Sequence, residues 1–279
     1  MSSADVHGNF LWHELATTDP GAAGAFYARV LGWKAQAWDK DPSYTLLSTA
    51  RGPAGGMMRL PAEAQANGTG ASWLAYVAVP DVNAAVATAQ RLGGRVVKPL
   101  TSLPDGGKYA VLADPQSGVI GICAPPSTGT GGGADEFVWH ELATADHSAA
   151  FRFYRELFGW EQLGVHDMGA MGQYLLFGRH GRQLGGMFSR PTTGPHWRVY
   201  VRVSNAAKAA EAAAAAGGRI VNGPHQVPGG SWVAELTDPQ GAAIAVNQAV
   251  TAAASAATPA TAAAPKPAKP AAPAASPAA

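Results

Sequence analysis

The chain has 279 residues, room for about two domains of ordinary size, and 47% of them are hydrophobic, enough for each to build its own core. Twenty basic against nineteen acidic residues leave a net charge of +1, which offers no electrostatic footprint for nucleic acid or an anionic membrane. The lone cysteine, Cys123, excludes an intramolecular disulfide and fits a reducing compartment; the start of the chain has no apolar run that would read as a secretory signal, so a cytoplasmic protein is expected.

Residues 1–9 form a short polar lead-in. Residues 10–17 suit a strand in which Phe10, Trp12, Glu14 and Ala16 share one face, while Leu11, His13, Leu15 and Thr17 share the other. Asp19-Pro20 is a helix start, an N-cap acceptor followed by a proline whose missing N–H costs nothing there. Ala23, Phe26, Tyr27 and Val30 recur at helical spacing, and Gly32 ends the helix. Strand-like stretches near 34–38, 44–48 and 55–60 complete one βαβββ unit. Residues 61–72 read as a loop. The pattern then restarts: a strand at 73–79, a helix capped by Asp81 and stopped by Gly93-Gly94, and strands near 95–98, 109–113 and 119–123.

The whole arrangement occurs twice. Phe10-Leu-Trp-His-Glu-Leu-Ala-Thr-Thr-Asp19 returns without a gap as Phe137-Val-Trp-His-Glu-Leu-Ala-Thr-Ala-Asp146, followed in each copy by Phe-Tyr and Gly-Trp. Tyr44, Gly55-Gly56-Met57, Trp73, Tyr76 and Asp114-Pro115-Gln116 match Tyr174, Gly185-Gly186-Met187, Trp197, Tyr200 and Asp238-Pro239-Gln240. The expected fold is therefore α+β, four βαβββ modules paired into domains at 10–124 and 137–248 and packed as an intrachain pseudo-dimer, compatible with a monomer. Residues 125–136 are a Gly-rich linker rather than a phosphate loop, since no Gly-Lys-Ser/Thr follows. Residues 249–279, almost wholly Ala, Pro, Thr and Ser, should be a disordered tail; its prolines and weakly apolar alanines do not make a membrane span.

The duplicated module, the Asp-initiated helix carrying Phe-Tyr and ending Leu-Gly-Trp or Phe-Gly-Trp, and the Asp-Pro-Gln turn together resemble the vicinal oxygen chelate superfamily of glyoxalases, bleomycin-resistance proteins and extradiol dioxygenases. Within it the chain looks most like tandem two-domain proteins often called glyoxalases or hydroxylases. The resemblance covers residues 10–248. It implies sheets curled into cups and a divalent metal held by inward His, Gln or Glu side chains. Carried onto this chain, the ligand positions fall at Trp12 and Trp139, at Gly121 and Ala245, near Met57 and Met187, and near Leu74 and Arg198. None is a carboxylate or imidazole, so no metal and no other cofactor is expected; a divalent metal remains part of the enzyme alternative below.

What remains is an ionisable pair, Glu14 and Glu141, on the strand face of the tryptophans. Each reads either as a catalytic base, a displaced metal ligand or a ligand anchor, or as a structural hydrogen-bond acceptor. His13 and His140 belong to the opposite face as packed or edge histidines. Trp12, Met57, Trp73, Trp139, Met187 and Trp197 would give the cups aromatic and apolar walls, or else simply pack the core. Cys123 reads as a buried thiol. Arg198, Lys108 and Glu235, and His166, His180, His196 and His225, have no counterpart in the other half, so the two cups need not share a ligand. The favoured function is metal-free binding of a small hydrophobic or aromatic molecule, with no nucleic acid or membrane partner; the alternative is a glyoxalase-like or dioxygenase-like enzyme built on Glu14 or Glu141.

Overall fold

A computed structural model of the chain describes residues 6–124, 136–191 and 194–250. The linker before Glu136 and the tail beyond Val250 lie outside the described residues. The first half runs β1 (Phe10–Thr17), α1 (Pro20–Leu31), β2 (Lys34–Trp38), β3 (Asp41–Thr49), β4 (Gly52–Arg59), α2 (Ala62–Ala66), β5 (Ser72–Ala78), α3 (Val82–Arg91), β6 (Arg95–Ser102), β7 (Lys108–Ala113) and β8 (Val119–Ala124). The second runs β9 (Phe137–Thr144), α4 (His147–Phe158), β10 (Glu161–Asp167), β11 (Gln173–Arg179), β12 (Arg182–Ser189), β13 (His196–Arg202), α5 (Ala206–Ala215), β14 (Arg219–Gln226), β15 (Trp232–Thr237) and β16 (Ala243–Gln248). Helix α2 falls where the sequence pattern indicates a loop. It is a single exposed turn started by Pro61, without a side-chain cap, in a run of good helix formers.

The helix signals act as their chemistry requires. Asp19 Oδ1 accepts the N–H of Ala22 at 3.1 Å, and Gly32 closes α1 at φ 70°, a left-handed conformation that favours glycine. Asp146 and Gly159 repeat both devices on α4.

Each half is one eight-stranded sheet, ordered β2-β3-β4-β1-β5-β8-β7-β6 and β10-β11-β12-β9-β13-β16-β15-β14. Strand β1 joins the two modules, parallel to β4 and antiparallel to β5, and β9 does the same. The helix-bearing sides of the two sheets face one another. Helix α1 packs against α5, α3 against α4, and one continuous core spans both halves.

Two repeat signatures meet across this interface. Tyr27 of α1 donates its hydroxyl to Asp238 Oδ2 at 3.0 Å, and Tyr154 of α4 donates to Asp114 Oδ2 at 2.8 Å. The other oxygen of each aspartate accepts N–H groups of its own Asp-Pro-Gln turn. Trp73 and Trp197 donate their indole N–H to Tyr27 and Tyr154, completing each buried chain.

At the centre His13 Nε2 and His140 Nε2 lie 2.8 Å apart, fully buried. Phe10 stacks on the ring of His140 at 3.5 Å and Phe137 on that of His13 at 3.7 Å. Phe10 was expected on the face of Trp12; a register shift between Phe10 and Trp12 turns it to the histidine side. His140 Nδ1 lies 3.1 Å from the Leu184 carbonyl and so carries the proton, leaving its Nε2 to accept from His13 Nε2–H. That assignment leaves His13 Nδ1 as an acceptor, and it has no partner. Both rings are thus neutral. Burial pushes His13 well below its ordinary value, with His140 adding to it, and burial pushes His140 down to about 3.

Above pH 6.5, the ordinary histidine value, the pair costs nothing in protonation. Below it the unfolded chain takes up protons that the folded interface refuses, so stability falls as pH drops toward the depressed folded values, by up to about 1.4 kcal/mol per histidine per pH unit. Thermal unfolding from pH 8 to 4 should therefore show a steeper loss of Tm than in the H13L/H140L variant. Equal slopes would show that the pair does not set the acid limb.

Candidate functional site

The opposite face of each sheet, with β1 and β9 central in the strand order, is where the family resemblance places a cup. In the first half Trp12, Glu14, Leu74, Tyr76, Gly56 and Gly121 share that face through the pairs Trp12 with Tyr76, Glu14 with Leu74, Glu14 with Gly56 and Tyr76 with Gly121. Trp12 donates its indole N–H to Tyr44 Oη at 2.9 Å, Tyr44 bonds Glu14, and Tyr76 donates to Glu14 Oε1 at 3.0 Å. The second cup repeats the chain: Trp139 to Tyr174 at 2.9 Å, Tyr174 to Glu141 Oε2 at 2.9 Å, and Tyr200 to Glu141 Oε1 at 3.1 Å. Burial raises both carboxyl pKa values; Tyr44, Tyr76 and Lys98 oppose the rise at Glu14, and Arg198, Tyr174 and Tyr200 oppose it at Glu141, without cancelling it.

Glycines make room for these tyrosines. A Cβ on Gly56 would lie 1.8 Å from Tyr44 Oη, one on Gly186 would lie 2.1 Å from Tyr174 Cε1, and one on Gly121 would lie 2.3 Å from Tyr76 Cδ1. Phenol rings therefore fill space that longer side chains at these glycines would otherwise occupy.

Of the six residues expected to wall the cups, only Trp12 and Trp139 face them. Met57 and Trp73 both pair with Leu15, and Met187 and Trp197 with Leu142, so all four lie on the helix-facing side in the core. The cup-facing neighbour on β4 is Gly56, one residue from Met57. The residues without counterparts divide: Arg198 and Glu235 meet in the second cup, whereas Lys108, His166 and His180 are exposed. Cys123 faces the first cup, paired with Tyr109, and burial pushes its thiol up to about 12. Two clefts lie elsewhere. One of about 180 Å³ opens between the halves beside Phe10, His140, Arg182 and Arg202, and one of about 280 Å³ under α1 beside Gly24, Ala35 and Met57.

The second cup carries an ion triad. Arg198 Nη1 stands 3.3 Å from Glu141 Oε1 and 3.0 Å from Glu235 Oε2, and Asn222 Nδ2 holds Glu235 Oε1 at 3.4 Å. In the first cup Leu74 and Val111 occupy the places of Arg198 and Glu235, and Lys98 donates to the Tyr109 hydroxyl instead.

This paired βαβββ architecture is that of a glyoxalase-type protein. Residues 12–123 match the model of the glyoxalase-like domain, and residues 136–246 match that of the glyoxalase/bleomycin resistance protein/dioxygenase superfamily. A Mycobacterium bovis protein named "Putative glyoxylase CFP32" is 30% identical over 84% of this chain and 92% of its own. The anthracycline biosynthesis protein DauV of Streptomyces sp. strain C5 is 28% identical over 87% of this chain and 95% of its own. Among solved structures, the Mn(II)-bound glyoxalase from Novosphingobium aromaticivorans superimposes with TM-score 0.60 at 16% identity, covering 86% of this chain and 82% of its own. The 2,2',3-trihydroxybiphenyl 1,2-dioxygenase from Sphingomonas wittichii strain RW1 gives 0.61 at 11%, covering 87% and 90%. The chain belongs to the glyoxalase/bleomycin resistance protein/dioxygenase superfamily.

The residues present do not fit the metal that a relative such as the Mn(II)-bound glyoxalase holds. A hard divalent ion needs three or four N or O ligands. The first cup offers one carboxylate among phenols that burial holds protonated, and the second sets a guanidinium between its two carboxylates. Among the described residues no group of three or more His, Cys, Asp or Glu could hold a metal ion.

If Tyr44 is locked over Gly56, G56A should destabilise the protein by about 1–3 kcal/mol in urea unfolding, the usual cost of overpacking. G70A, where nothing stands within 4 Å, serves as the control. A neutral G56A would mean that the ring yields freely.

Proposed function

We propose that the protein binds a small, flat hydrophobic or aromatic molecule in its sheet cups without a metal, with Trp12 and Trp139 as contact surfaces and Glu14 and Glu141 as polar anchors. The observation that carries this reading is the Trp–Tyr–Glu chain present in both cups. Phenol donors already hold both carboxylates, which suits an acceptor that stays in place more than a base that must accept a proton during reaction. A carboxylate has about four lone-pair sites, so capacity remains for a ligand's hydroxyl or amine. Relatives named as anthracycline biosynthesis proteins support a flat polycyclic ligand class.

One observation favours a second reading. Burial raises Glu14 and Glu141, the direction that prepares a carboxylate to abstract a proton near neutral pH, and one relative is named a glyoxylase. On that reading the chain is a glyoxalase-like lyase or dioxygenase-like enzyme.

Equilibrium dialysis with 9-fluorenone, a flat uncharged probe, separates the two when combined with turnover assays on a glutathione hemithioacetal and a catechol. Binding should weaken about tenfold or more in W12A/W139A, and E14Q/E141Q should alter affinity while no turnover is found. Elemental analysis of protein purified without chelator should find no stoichiometric transition metal. Turnover abolished by E14Q or E141Q, or one metal per chain, would overturn the binding reading.

A further inference from the structure

The two cups share a tryptophan, two tyrosines and a glutamate, yet they differ in charge. The first contains Glu14 and, at its side, Lys98, whose Nζ bonds the Tyr109 hydroxyl and lies 4.8 Å from the ring centroid. The second contains two carboxylates and one guanidinium, an excess of one negative charge. Arg198, Glu141 and Glu235 are only 13%, 13% and 19% exposed along their side chains, so water screens this excess poorly.

Donor counting gives the second step. A guanidinium has five N–H donors. Among the described residues the acceptors that Arg198 meets are Glu141, Glu235 and the Tyr200 hydroxyl, and both carboxylates are reached through Nη1. Donors therefore remain on a cation whose position is fixed from two sides. Tyr200, which Arg198 meets, belongs to an apolar cluster with Val233 and Ala245 on which Trp139 and Val227 pack. A ligand oxygen can take those donors if it brings no negative charge, because the two glutamates repel an anion. A neutral carbonyl oxygen meets both conditions.

Building on the binding function above, we propose that the cups take different ligands and that Arg198, positioned by Glu141 and Glu235, sets the specificity of the second. Its spare N–H donors hold the uncharged carbonyl oxygen of a flat aromatic ketone. The first cup has Leu74 and Val111 at these places and engages its ligand through apolar contact and Glu14, with Lys98 tied to Tyr109 at its side.

The test compares three probes on the full chain by equilibrium dialysis: 9-fluorenone, its hydrocarbon counterpart fluorene, and 9-fluorenone-2-carboxylate. The variant R198L/E235V copies the first cup and removes one charge of each sign, leaving Glu141 held by Tyr174 and Tyr200 as Glu14 is held by Tyr44 and Tyr76. The ratio of fluorenone to fluorene affinity should fall about tenfold or more in this variant, the worth of a hydrogen bond to a charged group. E235Q, which keeps the arginine and removes the negative excess, should raise affinity for the carboxylate probe and gives a readout that does not depend on the double variant folding. An unchanged ratio in R198L/E235V, or no gain for the carboxylate in E235Q, overturns the assignment while the general binding function stands. Failure of all three probes to bind the wild-type protein overturns both.

Discussion

Successive side chains of a strand point to opposite faces, and this constraint makes β1 and β9 serve two environments at once. Leu15 and His13 face the interface between the halves, whereas Trp12 and Glu14 face a cup. A shift of one residue in pairing would carry the histidine into the cup and the glutamate into the core. The interface is therefore what fixes the cup. His13 must lie within hydrogen-bond reach of His140, with Phe137 and Phe10 stacked on the two rings, and that contact pins the register of both central strands. The register in turn sets Glu14 opposite Leu74 and Glu141 opposite Arg198.

The same interface explains why separated motifs occur together. The Phe-Tyr of the first helix in each half and the Asp-Pro-Gln turn near its end are far apart in sequence, and neither completes the other within its own half. Tyr27 reaches Asp238 and Tyr154 reaches Asp114, so each half satisfies a buried group of its twin. Burial and the facing aspartate push both tyrosines well above their ordinary range, keeping the phenols as donors. Removing either partner would leave a buried polar group without its bond, at a cost of about 1–3 kcal/mol. The duplication is thus a mutual arrangement, not two independent domains joined by a tether.

Much of this is legible in the sequence. Asp19-Pro20 and Gly32 announced the helix because capping is local chemistry, and the gapless repeat announced the second copy. The placement of Glu14 opposite to His13 followed from alternation alone. Alternation puts Phe10 on the wrong face because a bulge is a tertiary accommodation that no local pattern signals. Met57 and Trp73 were misplaced for a related reason: which face a β4 or β5 residue occupies depends on its register against β1, and an apolar side chain suits a cup wall as well as a core. A cue did exist. Trp73 and Tyr76 are three apart on one strand and so cannot share a face, and Tyr44 and Tyr76 recur in the repeat alongside Gly56. That combination of a recurring large ring and a recurring glycine marks a ring lying over a bare backbone.

The ion triad of the second cup is the feature that the fold itself does least to require. Buried charges lose hydration, and well-packed apolar residues in their place are often as stable or more so. Here the comparison lies within one molecule: the first half builds the same sheet, the same Trp–Tyr–Glu chain and the same interface with Leu74 and Val111. Stability alone therefore gives no reason for Arg198 and Glu235. Their positions do, since Arg198 projects from the strand beside Glu141 into the cup, at one of the places where the family resemblance puts a metal ligand. A protein that sets a fixed guanidinium there retains a positive centre for a ligand oxygen without the coordination chemistry. On the proposed assignment, its flanking carboxylates admit a neutral oxygen and turn away a charged one.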